Sequence, residues 1–277
     1  MKTFLRYTLV TAIALALNLA VTLPVTAAAS SPCSKHVRDS QAPVSMCAAQ
    51  NFPPKNMNAY MPVKSLLSKE GPVGVGMLST RWKNGSNLKV GFMDDEFGLK
   101  DKVMNVARQW SKYANLTFSE SSVADADIRV SFKGEGYWSV LGKQAKTVPK
   151  KEQTMNLEFS KNESATEIQR VTLHEFGHAI GLLHEHESPL SKIPWDKNAV
   201  YKYYTGPPNC WTRQDVNEQV LQREKPGPDI ALTTFDKYSI MCYPVSDRLT
   251  VGQFRIGWNT KLSATDKKFV AKLYPKG

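Results

Sequence analysis

Four of the chain's five histidines fall between His174 and His186, and three of them occupy fixed places in the run His174-Glu175-Phe176-Gly177-His178-Ala179-Ile180-Gly181-Leu182-Leu183-His184. Residues 164–184 read as a helix. Ser164 followed by Glu167 has the form of a capping box, and Ile168, Val171, Ala179 and Leu182 supply an apolar stripe. His174 and His178, four positions apart, face the same way at about 6 Å along the axis. Two imidazoles so placed can meet on one Zn2+ at about 2.0–2.1 Å. On an unbroken helix His184 would stand about 15 Å from His174, too far to share that ion. The helix must therefore end between His178 and His184, and Gly181 is the residue able to take the left-handed turn that ends it. Three neutral nitrogens and an open position for water then leave Glu175 beside the first ligand. From there it can reach the water without binding the metal. One such cluster implies one zinc per chain. The alternative is a His/Glu-rich surface helix end with no metal, and the spacing weighs against it. His186 matches no ligand position and reads as a polar loop residue or a partner behind the ligands.

The beginning of the chain carries a different signal. Lys2 and Arg6 precede an apolar run over residues 7–23, Pro24 breaks it, and Ala27, Ala28 and Ala29 supply small residues for cleavage. Residues 1–29 read as a cleaved secretory signal, with a retained anchor as the alternative. No later segment is apolar enough to span a bilayer, so the expectation is a secreted, extracellular protein with no membrane contact after cleavage. Export makes the four cysteines (Cys33, Cys47, Cys210 and Cys242) disulfide candidates, with three connectivities open. The net charge of +11 becomes +9 once Lys2 and Arg6 are removed, so the basicity belongs to the mature part.

Residues 30–76 are rich in Pro and Gly with little periodicity, which suits an N-terminal extension or pro-segment. Residues 77–277 form the regular domain. Strands are expected over 88–93, 116–118, 127–132 and 154–159. A helix buries Leu99, Val103, Val106, Ala107, Trp110 and Ala114. Short helices are expected over 195–204 and 212–222, and a final helix opens at Ser263 with Asp266 three residues on.

His-Glu-x-x-His-x-x-Gly-x-x-His is the metzincin signature, and Tyr238-Ser239-Ile240-Met241-Cys242-Tyr243-Pro244 resembles the Met-turn of astacins. The flanks agree: His184-Glu185-His186 with Ser188-Pro189, Ile193-Pro194-Trp195-Asp196, Gly206-Pro207-Pro208-Asn209 with Trp211, and Leu262-Ser263-Ala264-Thr265-Asp266. From about residue 78 to 275 the chain resembles secreted, microbial-type astacin-like zinc endopeptidases. The resemblance implies an α+β metzincin-like fold. Its N-terminal lobe would hold a mixed twisted sheet and the zinc helix, and its C-terminal lobe would be irregular and loop-rich.

It also implies roles. His174, His178 and His184 would bind zinc, Glu175 would act as general base on the zinc-activated water, and Met241 would lie as a floor beneath the metal. Tyr243 would stabilise the oxyanion, and Glu185 would pair with a mature amino terminus. Met155, Asn156 and Leu157 look like the edge strand that pairs with extended substrate. Cys242 stands where family members often have His. A Cys210–Cys242 bridge would pin the loop after the zinc helix to the floor of the site, leaving Cys33 to pair with Cys47. In the competing reading Cys33 or Cys47 is a latency ligand on the metal.

The function expected is a secreted zinc-dependent endopeptidase acting on proteins or peptides as a monomer, with no nucleic-acid partner. The basic charge, with Arg213, Arg223 and Lys225 near the expected pocket, suggests a preference for acidic substrate stretches. The alternative is a non-catalytic secreted zinc-containing protein that binds anionic partners through its basic surface.

Overall fold

The computed structural model describes residues 75–277 except positions 96, 135, 208 and 233, together with the backbone of a strand at Ala48–Gln50. The expected signal peptide, Cys33 and Cys47 lie outside the described residues. So does most of the 30–76 extension.

Six strands make one sheet: β1 (Ala48–Gln50), β3 (Asn87–Phe92), β4 (Thr117–Glu120), β5 (Ile128–Ser131), β6 (Tyr137–Val140) and β7 (Met155–Leu157), in the order β1-β6-β7-β5-β3-β4. A small antiparallel pair joins β2 (Gly76–Met77) to β8 (Ile230–Ala231). Strands β4, β3, β5 and β7 run parallel, whereas β6 lies antiparallel to β7 and carries β1 parallel on its far side. All four residues of β5 are buried, as expected of a parallel strand covered on both faces.

The position of β7 corrects the sequence expectation. Met155, Asn156 and Leu157 form an interior strand between β5 and β6, and all three are buried. Their backbone groups are committed to two neighbours and cannot receive a substrate strand. Asn156 braces the turn before β6: its Oδ1 accepts the Gly134 amide at 2.9 Å and its Nδ2 donates to Gly136 O at 2.6 Å. The outer side of β6 is the one that β1 covers.

Helix α1 (Lys100–Ser111) buries Val103, Met104, Ala107 and Trp110, and α2 (Ala165–Ala179) packs beside it. Trp110 ties the two by donating its indole N–H to Leu173 O at 3.0 Å, which satisfies a fully buried donor. The lower half of the chain is irregular, with α3 (Lys197–Thr205), α4 (Arg213–Val216) running into a short π turn, and small separate apolar clusters. Helix α5 (Ala264–Leu273) returns to the main core through Phe269, Val270 and Leu273. The α+β arrangement read from the sequence is the one found. Among the described residues no helix is long and apolar enough to cross a membrane.

Candidate metal centre

The zinc-motif helix ends where the sequence requires. Ser164 caps α2 by accepting the Glu167 amide at 3.1 Å, while the Glu167 carboxylate pairs with Arg170 instead of completing a capping box. At the other end Gly181 has φ +95°, a region that side-chain-bearing residues rarely adopt. The Gly181 amide donates to His178 O at 2.8 Å and the Leu182 amide to Gly177 O at 3.0 Å, the paired bonds of a Schellman end. Two further side chains satisfy the last carbonyls: Trp82 Nε1 donates to Ala179 O at 2.7 Å, and the Tyr274 hydroxyl donates to Ile180 O at 2.7 Å. Neither was singled out in the sequence for this role. Both contacts join residues more than ninety positions apart, and no local pattern encodes them.

The turn brings His184 back to the helix. Ring nitrogens of His174, His178 and His184 lie within 4.8 Å of one another, and all three residues are buried. Nε2 of His178 and Nε2 of His184 are 3.1 Å apart. Two ligand nitrogens on a tetrahedral zinc stand about 3.3 Å apart, given bonds of about 2.0–2.1 Å, so the cluster fits such an ion. Nε2 of His174 is buried with no hydrogen-bond partner, as a nitrogen reserved for a metal would be. The tautomers agree with this, because Nδ1 of His174 donates to Ile240 O at 2.7 Å and Nδ1 of His178 to Leu182 O at 2.8 Å. Burial pushes all three imidazoles down, His178 to about 4 and the other two well below their ordinary value. For His174 and His184 the neighbouring His178 adds to the effect. The rings are therefore neutral near pH 7, the form that binds metal.

Glu175 is buried beside the first histidine. Met241 lies under the helix, and a Cβ placed on Gly177 would overlap its sulfur. Asp266 of α5 holds this turn from below. Its carboxylate accepts the Ser239 hydroxyl at 2.6 Å, the Ile240 amide at 2.8 Å and the Ser263 amide at 2.8 Å. Asp266 was read from sequence only as half of a capping box, which it also completes. Through Ile240 O the same turn orients His174.

Tyr243 is buried with its ring 4.4 Å from that of His184 and 6.1 Å from that of His174. His186, left without a ligand position, stacks 4.4 Å from Tyr243 and 5.0 Å from His184 and donates from Nε2 to Gln219 O at 3.0 Å. Glu185 turns away from the cluster to accept the Asp236 amide at 2.9 Å, and burial pushes its carboxyl up to about 8. Glu187 is also buried, which raises its carboxyl well above the usual range, and nearby Glu224 adds to the rise.

The cysteines correct the expected bridge. Cys242 is a free, buried thiol packed with Ile193, Val245 and Ile256. Cys210 is disulfide-bonded at a positive φ of 50°, so no Cys210–Cys242 link pins the loop. The Cys242 side chain is enclosed by that apolar cluster.

The Astacin model, describing the astacin peptidase family, matches residues 76–200. A solved structure of myroilysin superposes with a TM-score of 0.71 at 43% identity, covering 74% of this chain and 100% of that one. The chain belongs to the astacin family of zinc metalloendopeptidases. Another astacin-fold structure, high choriolytic enzyme 1, a hatching enzyme zinc-protease from the medaka Oryzias latipes, matches with a TM-score of 0.50 at 16% identity over 71% of this chain and 94% of that one, a likeness of fold alone. Among curated proteins, stromelysin-3 of Rattus norvegicus is 27% identical over 180 residues, which is 51% of this chain and 36% of the rat protein. Zinc metalloproteinase nas-27 of Caenorhabditis elegans is 32% identical over 87 residues, 31% of this chain and 18% of the nematode protein. The chain thus spans about a third or less of the length of these curated relatives.

Proposed function

We propose that this astacin-family chain is a secreted, monomeric endopeptidase that holds one zinc ion on His174, His178 and His184 and uses Glu175 as general base. The observation that carries the reading is the meeting of three neutral, buried imidazoles within 4.8 Å at the end of a helix that also bears Glu175. When bound, zinc supplies Lewis-acid polarisation of a carbonyl and makes water acidic enough to ionise near pH 7. Glu175 takes the proton from the attacking water and returns it to the leaving amine. Tyr243, packed against His184, donates its hydroxyl to the oxyanion; one such donor contributes about 2.7–4 kcal/mol.

Substrate in extended form adds to the outer side of β6, where main-chain bonds give affinity independent of sequence. That side is the one paired with Ala48–Gln50, which supports reading residues 30–76 as a removable pro-segment ahead of a 77–277 peptidase domain. The apolar run and small residues before position 30 support export. The net charge of +11 supports a preference for acidic stretches. The Arg213 guanidinium is exposed and stacks 3.9 Å over the Tyr201 ring, which keeps its charge at the surface.

The test is Glu175→Gln. It is expected to retain zinc and to lose at least about a hundredfold in kcat/KM on an unfolded protein substrate. A fully active Gln variant would overturn the assigned role, and activity that survives exhaustive chelation would overturn the metal reading.

A further inference from the structure

We propose that Glu187 is a positioning residue for zinc, orienting His184 from behind as the carboxylate partner of its Nδ1–H. The inference rests on the zinc reading above and concerns a residue that the catalytic steps do not use.

The three histidines are held unequally. His174 and His178 each give Nδ1–H to a backbone carbonyl, at 2.7 and 2.8 Å, which fixes the ring and frees Nε2 for metal. His184 has no such carbonyl. Its Nε2 faces His178, so Nδ1 is the nitrogen left to orient it, and Nδ1 lies 3.4 Å from Glu187 Oε2. His184 is wholly buried and Nδ1 makes no hydrogen bond. An Nδ1–H without an acceptor there would cost about 1–3 kcal/mol.

Glu187 is built into place by its own backbone. Its amide donates to His184 O at 3.1 Å, closing the turn between the two residues, and its carbonyl accepts the Glu224 amide at 2.7 Å. Its side chain is mostly buried, and His184 is the one ion-pair or hydrogen-bond partner of its carboxylate among the described residues. A buried carboxylate needs a donor, and the Nδ1 of His184 is the nitrogen within ion-pair distance of it. The separation of 3.4 Å is longer than a well-formed N–H···O bond of about 2.7–3.2 Å. Metal at Nε2 makes Nδ1–H a stronger donor, so the contact is expected to tighten in the zinc form. His186 is the other nearby imidazole: ligand atoms of His184, His186 and Glu187 lie within 4.8 Å of one another. A second ion there would have to displace the Nδ1 proton of His184, a different arrangement that the same experiment detects.

Zinc affinity is measured on the purified chain by competition with a chelating dye, with stoichiometry from native mass spectrometry and melting of the metal-free chain recorded alongside. Glu187→Ala is expected to bind zinc about 10–100-fold more weakly. Glu187→Gln keeps an oxygen that can accept the proton and is expected to lose less. Affinity within about twofold of the parent chain in every variant that folds overturns the proposal, whatever the melting temperatures do. Should the alanine variant fail to fold, the zinc-loaded parent is read by proton NMR. A deshielded, exchange-protected His184 Nδ1–H that moves upfield in Glu187→Gln supports the proposal, and its absence in the parent overturns it. Two zinc ions per parent chain, falling to one in Glu187→Ala, also overturn it by making Glu187 a ligand. A parent chain that takes up no zinc, or keeps it unchanged in His184→Ala, is the separate failure of the metal-centre reading itself.

Discussion

Gly177 of the zinc-motif helix and Met241 of the turn beneath it are packed without room for a single methyl group between them. The motif position between the first two histidines is thus fixed by its contact with the floor as well as by helix geometry. Gly177→Ala would improve helix propensity by about 1 kcal/mol in isolation. Here it forces the Met241 sulfur aside, and overpacking of this kind costs about 1–3 kcal/mol. Because Ile240, next to Met241, holds His174, the displacement should also weaken zinc binding. The expected result is a lower melting temperature together with a lower zinc affinity; a variant as stable as the parent would show that the helix and floor are not in this contact.

Asp266 and Ser263 separate two functions that look like one in the sequence. Ser263→Ala removes the helix cap alone and should cost about 1 kcal/mol. Asp266→Ala removes the reciprocal half of that box and also leaves the Ser239 hydroxyl and the Ile240 amide without their acceptor. Each buried orphan adds about 1–3 kcal/mol, so the loss should be at least about twice that of the serine variant. Urea unfolding of the two metal-free variants makes the comparison, and equal losses would show that Asp266 does no more than cap.

The contrast between these residues shows where sequence reading succeeds. The histidine cluster was legible because its geometry is local: two of the rings share a helix face, and the third is returned by one glycine only three residues before it. The caps at Ser164 and Ser263 are local too, although the Glu167 side chain prefers Arg170 to its expected partner. What was not legible depends on distant segments. Strand β6 went unseen because Tyr137-Trp138-Ser139-Val140 is short and nearly all buried, with no alternation to mark it. The edge-strand reading of Met155-Asn156-Leu157 came from the family resemblance, and β6 occupies the side of β7 that this reading left open. The cysteine pairing failed for a similar reason: sequence places Cys242 in the floor loop but does not say that its side chain enters an apolar cluster. Trp82, Tyr274 and the second role of Asp266 become visible only when the termini of the domain meet.

The pairing of Ala48–Gln50 with Trp138–Val140 leads to a prediction about latency. A segment lying along the outer side of β6 competes for the main-chain groups that an extended substrate would use. A chain beginning at residue 75 is therefore expected to have a lower KM for an unfolded protein substrate than a chain beginning at residue 30. If the two forms show the same kcat and KM, the extension is not an obstacle to substrate. Proline at position 49 gives a second check, since it removes a donor and should weaken any such strand pairing.

Three tyrosines away from the histidine cluster set an alkaline limit. Burial is the first cause that pushes the phenols of Tyr137, Tyr204 and Tyr274 above their ordinary value near 10. In the folded chain they keep their protons at pH values where the unfolded chain has lost them. Above pH 10 the folded state thus binds more protons, and stability must fall as pH rises. Below pH 10 both states are protonated and this contribution is constant. Of the chain's ten tyrosines, these three are expected to ionise only as the fold opens, so the ultraviolet absorbance of tyrosinate should show a late, cooperative phase coincident with loss of structure. Tyr274→Phe removes one of the three and also the hydroxyl that donates to Ile180 O and accepts the Trp82 amide at 3.2 Å. It should lower stability at pH 7 by about 1–3 kcal/mol while making the alkaline decline shallower. A decline of unchanged steepness in that variant would mean that Tyr274 does not titrate with unfolding.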